Sequence, residues 1–199
     1  TFSGIRLKGV HAIDAGASTG GFTDCMLQNG AEKVYAVDVG YGQLAWSLRS
    51  DPRVVCMERT NARYLTREQI PDPLNFFSVD VSFISLNLIL PALRPLMQET
   101  GEGVCLVKPQ FEAGRERVGK GVITDPALHR QILEEVADFI DNETGLSLEA
   151  ADYSPIRGPE GNIEFLFLLK HKRAGNGAKR PDFDKIVEEA HENTSAHPR

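Results

Sequence analysis

A chain of 199 residues with 41% hydrophobic and 25% charged side chains has the composition of one folded domain with a single good core. Its net charge of −6 argues against a protein that grips a polyanion by overall charge, while leaving room for a local basic face. No stretch approaches the roughly 18 consecutive apolar residues of a membrane span, and no signal peptide opens the chain. The start at Thr1, without a methionine and within ten residues of a strand, is what a piece of a longer protein would give. Cys25, Cys56 and Cys105 lack C-x-x-C spacing and fall in apolar stretches, so buried free thiols in a reducing, cytoplasmic setting are expected, and no metal site.

Taken in order, residues 9–16 read as a first strand and 21–29 as a helix closed by the C-cap signal Asn29-Gly30. Residues 33–38 form a second strand of β-branched and aromatic type. Helical spacing of Leu44 and Leu48 predicts a helix over 42–50, stopped by Asp51-Pro52. Short strands follow at 53–57 and 76–81. Residues 84–98 are apolar on most faces and read as a helix kinked or divided by Pro91 and Pro95, ahead of a fifth strand at 104–108. From Pro109 to Asp125 the chain is long, polar and punctuated by glycine, which suits a functional flap or a disordered segment. Arg115, Arg117 and Lys120 within it are candidate phosphate clamps. Pro126 opens an amphipathic helix through Ile140, ended near Gly145, and two more strands lie at 146–153 and 163–170. From His171 a polar tail, weakly packed and with a helix at 182–192, is expected; this divides the chain into a domain at 1–172 and a tail at 173–199. Strands alternating with helices, then a closing strand pair, predict a doubly wound α/β sheet with ligands at the carboxyl ends of its strands.

The run from His11 to Asp24 is a buried strand followed by a glycine-rich turn and a helix start. Such a turn lets a ligand approach the backbone and the free N–H groups of the first helical turn. Two features depart from the dinucleotide fingerprint: Ser18 stands where a glycine is wanted, and Asp14 places a carboxylate just ahead of the glycines. A carboxylate there suits a cationic ligand, and S-adenosylmethionine carries both an ammonium and a sulfonium. Asp14, Gly16, Ala17, Ser18, Thr19, Gly20, Gly21 and Phe22 are therefore candidate contacts for a methyl donor. Asp38, 24 residues after Asp14, ends the second strand where an acid accepts hydrogen bonds from two ribose hydroxyls; Val39 is its neighbour. After the third strand, Asn61 and Ala62 sit where an adenine edge would lie.

Asp80, Lys108 and Glu164 each stand at the end of, or within, an apolar strand. Charged residues are rarely buried unless paired, so three in such places point to an ion-pair network or to catalysis. In the catalytic reading Lys108, flanked by carboxylates, helps a hydroxyl lose its proton as it attacks a methyl group, with Asp80 also beside the cofactor.

Asp14-Ala-Gly-Ala-Ser-Thr-Gly-Gly-Phe-Thr-Asp-Cys25, Val37-Asp-Val-Gly-Tyr-Gly-Gln-Leu-Ala-Trp46, Glu58-Arg-Thr-Asn-Ala-Arg63, Asp80-Val-Ser-Phe-Ile-Ser85, Val107-Lys-Pro-Gln-Phe-Glu112 and Gly161-Asn-Ile-Glu-Phe165 together resemble the hemolysin A (TlyA) family, whose catalytic domain is FtsJ-like. The resemblance covers roughly residues 5–170. It implies a Rossmann-like class I methyltransferase with a mostly parallel seven-stranded sheet, a closing antiparallel strand and helices on both faces. It also implies S-adenosylmethionine as cofactor and ribose 2′-hydroxyls of ribosomal RNA, free or in ribosomal subunits, as acceptors. Asp80, Lys108 and Glu164 match the last three members of the family's Lys-Asp-Lys-Glu pattern. The first Lys belongs to a segment before residue 1, behind an S4-type RNA-binding domain, and Lys8 is not in a matching context. Loss of that segment puts turnover by this chain alone in question. Rival readings are a base methyltransferase, a non-catalytic cofactor- and RNA-binding module and, with least support, a membrane-active hemolysin.

Overall fold

The β-branched and aromatic runs line up as seven strands in a computed structural model that describes residues 2, 4–119, 121–172 and 179–194. These are β1 (His11–Ala15), β2 (Lys33–Val37), β3 (Val54–Met57), β4 (Leu74–Val79), β5 (Met97–Val107), β6 (Leu146–Tyr153) and β7 (Phe165–His171). They form one sheet in the order β3-β2-β1-β4-β5-β7-β6. The first five run parallel, and β7 is antiparallel to both β5 and β6. From β1 the chain winds outward through β2 and β3, then returns to the other side of β1 as β4. The order therefore reverses between β1 and β4, and the loops leaving the two strands diverge to open a crevice at their carboxyl ends.

Alternating side chains feed two cores. Ile13, Ala15, Val37, Phe77 and Val79 face a layer that includes α3 (Leu86–Leu93) and α6 (Pro126–Glu143). Ala12, Val34, Ala36 and Phe76 face α1 (Gly21–Gln28) and α2 (Trp46–Arg49) through Met26, Leu27 and Leu48. Two single-turn helices, α4 (Pro109–Glu112) and α5 (Arg115–Val118), follow β5.

Several sequence expectations change against this frame. The helix expected over 42–50 shrinks to α2, because the chain before it turns at Gly42 (φ +70) and stays extended at Ala45 (ψ 140). The helix expected over 84–98 ends at Leu93; Pro91 sits inside α3, while Pro95 lies in the 3-10 turn Arg94–Leu96 that leads into β5. The 109–125 segment is anchored by buried Ala113 and Ile123, and the guanidinium of Arg117 forms a two-point ion pair with Glu135 of α6. That pairing removes Arg117 from the candidate phosphate clamps, while Lys120 and the side chain of Arg115 lie outside the described residues. Cys105 is buried as expected, but Cys25 is exposed on α1 and Cys56 is half-buried.

The tail is also tighter than its polarity suggests. Residues 173–178 and 195–199 lie outside the described residues, but Phe183–Asn193 is a helix, α7, whose Phe183, Val187 and Ala190 are buried. Phe183 stacks on Phe167 of β7 at a ring separation of 5.7 Å. On the same side His129 of α6 and His191 of α7 meet through Nδ1 and Nε2 at 3.0 Å.

Asp14, in the central strand, is 0% exposed. Its two carboxylate oxygens accept hydrogen bonds from Thr23 Oγ1 of α1 at 2.7 Å and Ser78 Oγ of β4 at 2.9 Å. The carboxylate thus ties together the three elements around the crevice. Neither partner carries a charge, so burial dominates and pushes its pKa from 3.8 up to about 6. A folded-state pKa above the unfolded one means that protonated Asp14 favours the fold fully below 3.8, and that this contribution is lost as the pH rises through 6. The loss amounts to roughly 3 kcal/mol. Asp14→Asn is therefore expected to flatten the stability–pH profile between pH 4 and 6, and to be the more stable form above pH 6 in thermal melts. An unchanged slope would contradict the assignment of that pH dependence to Asp14.

Candidate active site

A cavity of about 550 Å³ opens at the carboxyl ends of the parallel strands, a size suited to a nucleoside-sized ligand. Gly16 and Ser18 of the β1–α1 turn, Asp38 and Val39 after β2, Asn61 and Ala62 after β3, and Asp80 after β4 all line it. The turn is shaped by two constraints. Gly16 has φ +86, and a Cβ there would stand 2.1 Å from the backbone oxygen of Asp80, so any side chain would push apart the loops leaving β1 and β4. Ser18 takes a left-handed conformation, φ 49, which is uncommon outside glycine and asparagine and aims its N–H at a carboxylate.

That carboxylate belongs to Asp38. Its oxygens accept from Ser18 N–H at 2.8 Å and from Gly40 N–H at 2.7 Å, and its backbone oxygen accepts from Thr60 N–H at 2.9 Å. One residue therefore joins the loops after β1, β2 and β3, and its carboxylate is fixed in the cavity wall with lone pairs to spare. Beside it, Asn61 accepts from Arg63 N–H at 3.0 Å and starts the 3-10 turn Ala62–Tyr64.

At the other end of the cavity, Asp80 and Lys108 are the first residues past β4 and β5. Lys108 Nζ lies 2.6 Å from Asp80 Oδ1 and 3.2 Å from Ser82 Oγ, with 12% of the lysine side chain exposed. Glu164 is 8% exposed and stands one residue before β7, not within a strand as the sequence suggests. Because β7 runs antiparallel to β5, with Val107 opposite Phe165, the start of β7 lies at the same sheet edge as the ends of β4 and β5. Burial pushes the Glu164 carboxyl up from the usual range; the charge of Lys108 pulls it down and that of Asp80 raises it further. The ammonium is thus paired with Asp80, which lines the cavity; Lys108 and Glu164 stand behind that wall, and Glu164 feels the lysine's charge without an ion-pair contact.

The remaining candidates are placed differently. Asp14 lies beneath the turn with both oxygens engaged, which gives it a supporting position instead of one in the cavity wall. Ala17 and Gly20 are buried in the underside of the turn, Thr19 and Gly21 are exposed, and Phe22 packs half-buried into the second core. Lys8 precedes β1 and lies against Gly30, at the amino end of the strands and away from the cavity. Sequence reasoning missed Val37, Gln43, Thr60, Val81, Ser82, Phe83, Ile84 and Ile89, which complete the lining. Their signal is weak, since the apolar ones read as ordinary core. Phe83 is an exception in the structure: it is 90% exposed at φ 64, a costly conformation for a bulky residue, and its ring sits 4.9 Å from that of Phe111.

The seat of Glu164 depends on a residue the sequence shows only as a turn glycine. A Cβ on Gly158 would stand 2.5 Å from Glu164 Oε1. Asn162, 1% exposed, holds the same turn to the 121–123 segment through Ile123 N–H at 3.0 Å and the Gly121 oxygen at 2.9 Å. Gly158→Ala is expected to displace the Glu164 carboxylate from Lys108 while leaving the cavity intact. A crystal structure of the variant checks this, and an unmoved carboxylate would refute it.

Comparison with known proteins fits this geometry. The model of the FtsJ-like methyltransferase family matches residues 1–171. YqxC of Bacillus subtilis (strain 168) is 51% identical over 192 residues, covering 94% of this chain and 68% of that protein. The 16S/23S rRNA (cytidine-2′-O)-methyltransferase TlyA of Mycobacterium tuberculosis is 49% identical over 167 residues, covering 83% of this chain. The match spans 62% of TlyA, less than two thirds of its length. A solved structure from Streptococcus thermophilus that carries a hemolysin name superposes with a TM-score of 0.89 at 48% identity, over 95% of this chain and 69% of that one. The chain belongs to the FtsJ-like methyltransferase family.

Proposed function

We propose that this chain is the catalytic part of an S-adenosylmethionine-dependent enzyme that methylates ribose 2′-hydroxyls of ribosomal RNA, in the cytoplasm and with ribosomal subunits as substrates. The observation that carries the reading is the Asp80–Lys108–Glu164 cluster at the edge of a nucleoside-sized cavity. The names of the relatives support the acceptor: the M. tuberculosis protein is a cytidine-2′-O-methyltransferase of 16S and 23S rRNA. No described helix is long and apolar enough to cross a membrane, which gives the hemolysin name no support as a description of activity.

The residues present fit the cofactor. Asp38 offers a fixed carboxylate to two ribose hydroxyls, Asn61 and Ala62 meet a base edge, and Val81, Ile84 and Ile89 supply an apolar wall for a ring. The glycine-rich turn from Gly16 to Phe22 contributes backbone at Gly16 and Ser18, while Ala17, Thr19, Gly20, Gly21 and Phe22 set its shape. Asp14 supports that turn from below. When bound, the cofactor supplies an electrophilic methyl group on a sulfonium.

A ribose hydroxyl is a poor nucleophile until its proton begins to leave. Lys108 Nζ is the group placed to assist: it presents N–H donors to the negative charge that develops on the oxygen while the departing hydroxyl proton passes to water. Asp80 and Glu164 orient the ammonium and keep it from the bulk solvent. The rest of the rate comes from positioning, since the oxygen must approach in line with the bond that breaks.

Two variants separate these roles. Asp38→Ala is expected to weaken cofactor binding by at least about 100-fold in calorimetry, the scale of two lost charge-assisted hydrogen bonds at about 1.5 kcal/mol each. Lys108→Ala is expected to bind within about threefold of wild type and to lose at least about 100-fold in transfer, as removal of a group assisting proton departure does. Equal loss of binding in both variants contradicts the assignment. The acceptor is tested with methyl-labelled cofactor and unmodified ribosomal subunits, followed by alkaline hydrolysis. A methylated 2′-oxygen blocks strand cleavage, so label is expected in alkali-resistant dinucleotides; label in mononucleotides would establish a base acceptor and overturn the ribose reading.

A further inference from the structure

The loops leaving β4 and β5 run side by side, because their strands are parallel neighbours. One carries Asp80 through Ser85 into α3, and the other carries Lys108 into α4. Contacts join them along their length: Lys108 to Asp80 at 2.6 Å and to Ser82 at 3.2 Å, then the Phe83 and Phe111 rings at 4.9 Å. The last contact is made by Glu112, one turn beyond Lys108. Its Oε2 accepts from Ser85 Oγ at 2.6 Å and its Oε1 accepts from Leu86 N–H at 2.9 Å. Ser85 Oγ in turn accepts from Asn87 N–H at 3.1 Å, so the carboxylate orients the N-cap of α3 and satisfies one of its orphan N–H groups.

Glu112 is an expensive choice for that task. Burial pushes its carboxyl above the usual range, and among the described residues no lysine or arginine pairs with it. A carboxylate at the start of α3 gains from the helix dipole, but a serine N-cap is already present there. What the side chain adds is a two-point link between the two loops, opposite the end where Asp80 meets Lys108. Both segments are short, and Lys108 is the N-cap of α4: Phe111 N–H donates to the Lys108 oxygen at 2.8 Å. A shift of Glu112 therefore moves the turn whose first residue is the lysine.

We propose that Glu112 is a positioning residue of methyl transfer, bracing the loop after β4 against α4 so that Asp80 and Lys108 stay in contact. This rests on the reading of that pair as transfer residues. Glu112→Ala is expected to lower kcat about 10- to 100-fold, the effect of roughly an ångström of misplacement. The dissociation constant for S-adenosylhomocysteine should stay within about threefold, because Asp38 and the β1–α1 turn are untouched. Glu112→Gln keeps an acceptor for Leu86 N–H and is expected to recover kcat to within about fivefold of wild type. In a crystal structure of Glu112→Ala, Lys108 Nζ should no longer lie in ion-pair contact with Asp80. An unchanged kcat, a fall in cofactor affinity equal to the fall in kcat, or a pair that stays in contact overturns the brace. Should the wild-type protein itself transfer no methyl group, the catalytic reading fails, and the crystallographic contact still decides whether Glu112 holds the pair. Should Glu112→Ala not fold, Ser85→Ala, which removes one of the two links, decides by the same readouts with an expected loss in kcat of about threefold.

Discussion

Lys108 leaves the end of a buried strand with little of its side chain in water, and an ammonium so placed must have anions within reach. Asp80, just past β4, meets that need directly, and Glu164, just before β7, adds a second negative charge nearby; much of the architecture near the cavity follows from bringing them there. β4 must lie next to β5, so that their first loop residues face each other. β7 must run the opposite way, so that its start and not its end delivers Glu164. Gly16 must lack a side chain, so that the loop after β1 can close on the backbone of Asp80. A cluster of this kind is weak evidence for stability, since desolvating three charges offsets most of their attraction.

The cofactor half of the cavity obeys a different logic. Among the described residues Asp38 pairs with no lysine or arginine, and it is held by backbone N–H groups of two loops. Such donors are fixed by the fold and leave the carboxylate oriented toward the cavity, where hydroxyl donors of a ribose can add to it. Asp14 supports the same loops from within the sheet at a cost in burial. The two acids differ in exposure: Asp14 is fully buried beneath the turn, whereas Asp38 is half-buried in the cavity wall.

Much of this was legible in the residues. The order of strands and helices gave the doubly wound sheet, and Asp80 and Lys108 announced themselves as charges ending apolar runs. What failed to show has physical reasons. A run such as 84–98 looks helical throughout by its apolar content, and only backbone geometry shows that three residues of 3-10 turn convert it into the start of β5. Sequence reports the Asp14 carboxylate next to glycines but not that it faces Thr23 and Ser78 from within the sheet. The packing of α7 was hidden by its polarity: three buried positions, Phe183, Val187 and Ala190, are enough to dock it. Ser82, Ile84 and Ile89 carry no mark distinguishing a cavity wall from a core. The resemblance to the hemolysin A family joined motifs that, taken singly, are common turns and strand ends.

The central claim is that one cavity holds the cofactor with its ribose on Asp38 and its sulfur toward the Asp80–Lys108 pair. A crystal structure of the protein with S-adenosylhomocysteine measures this directly. Both ribose hydroxyls are expected within hydrogen-bond distance of the Asp38 carboxylate, about 2.5–3.0 Å, with the sulfur on the side of Asp80 and Lys108. A ligand bound elsewhere, or one lying in the cavity with its sulfur turned away toward Thr60, would contradict it.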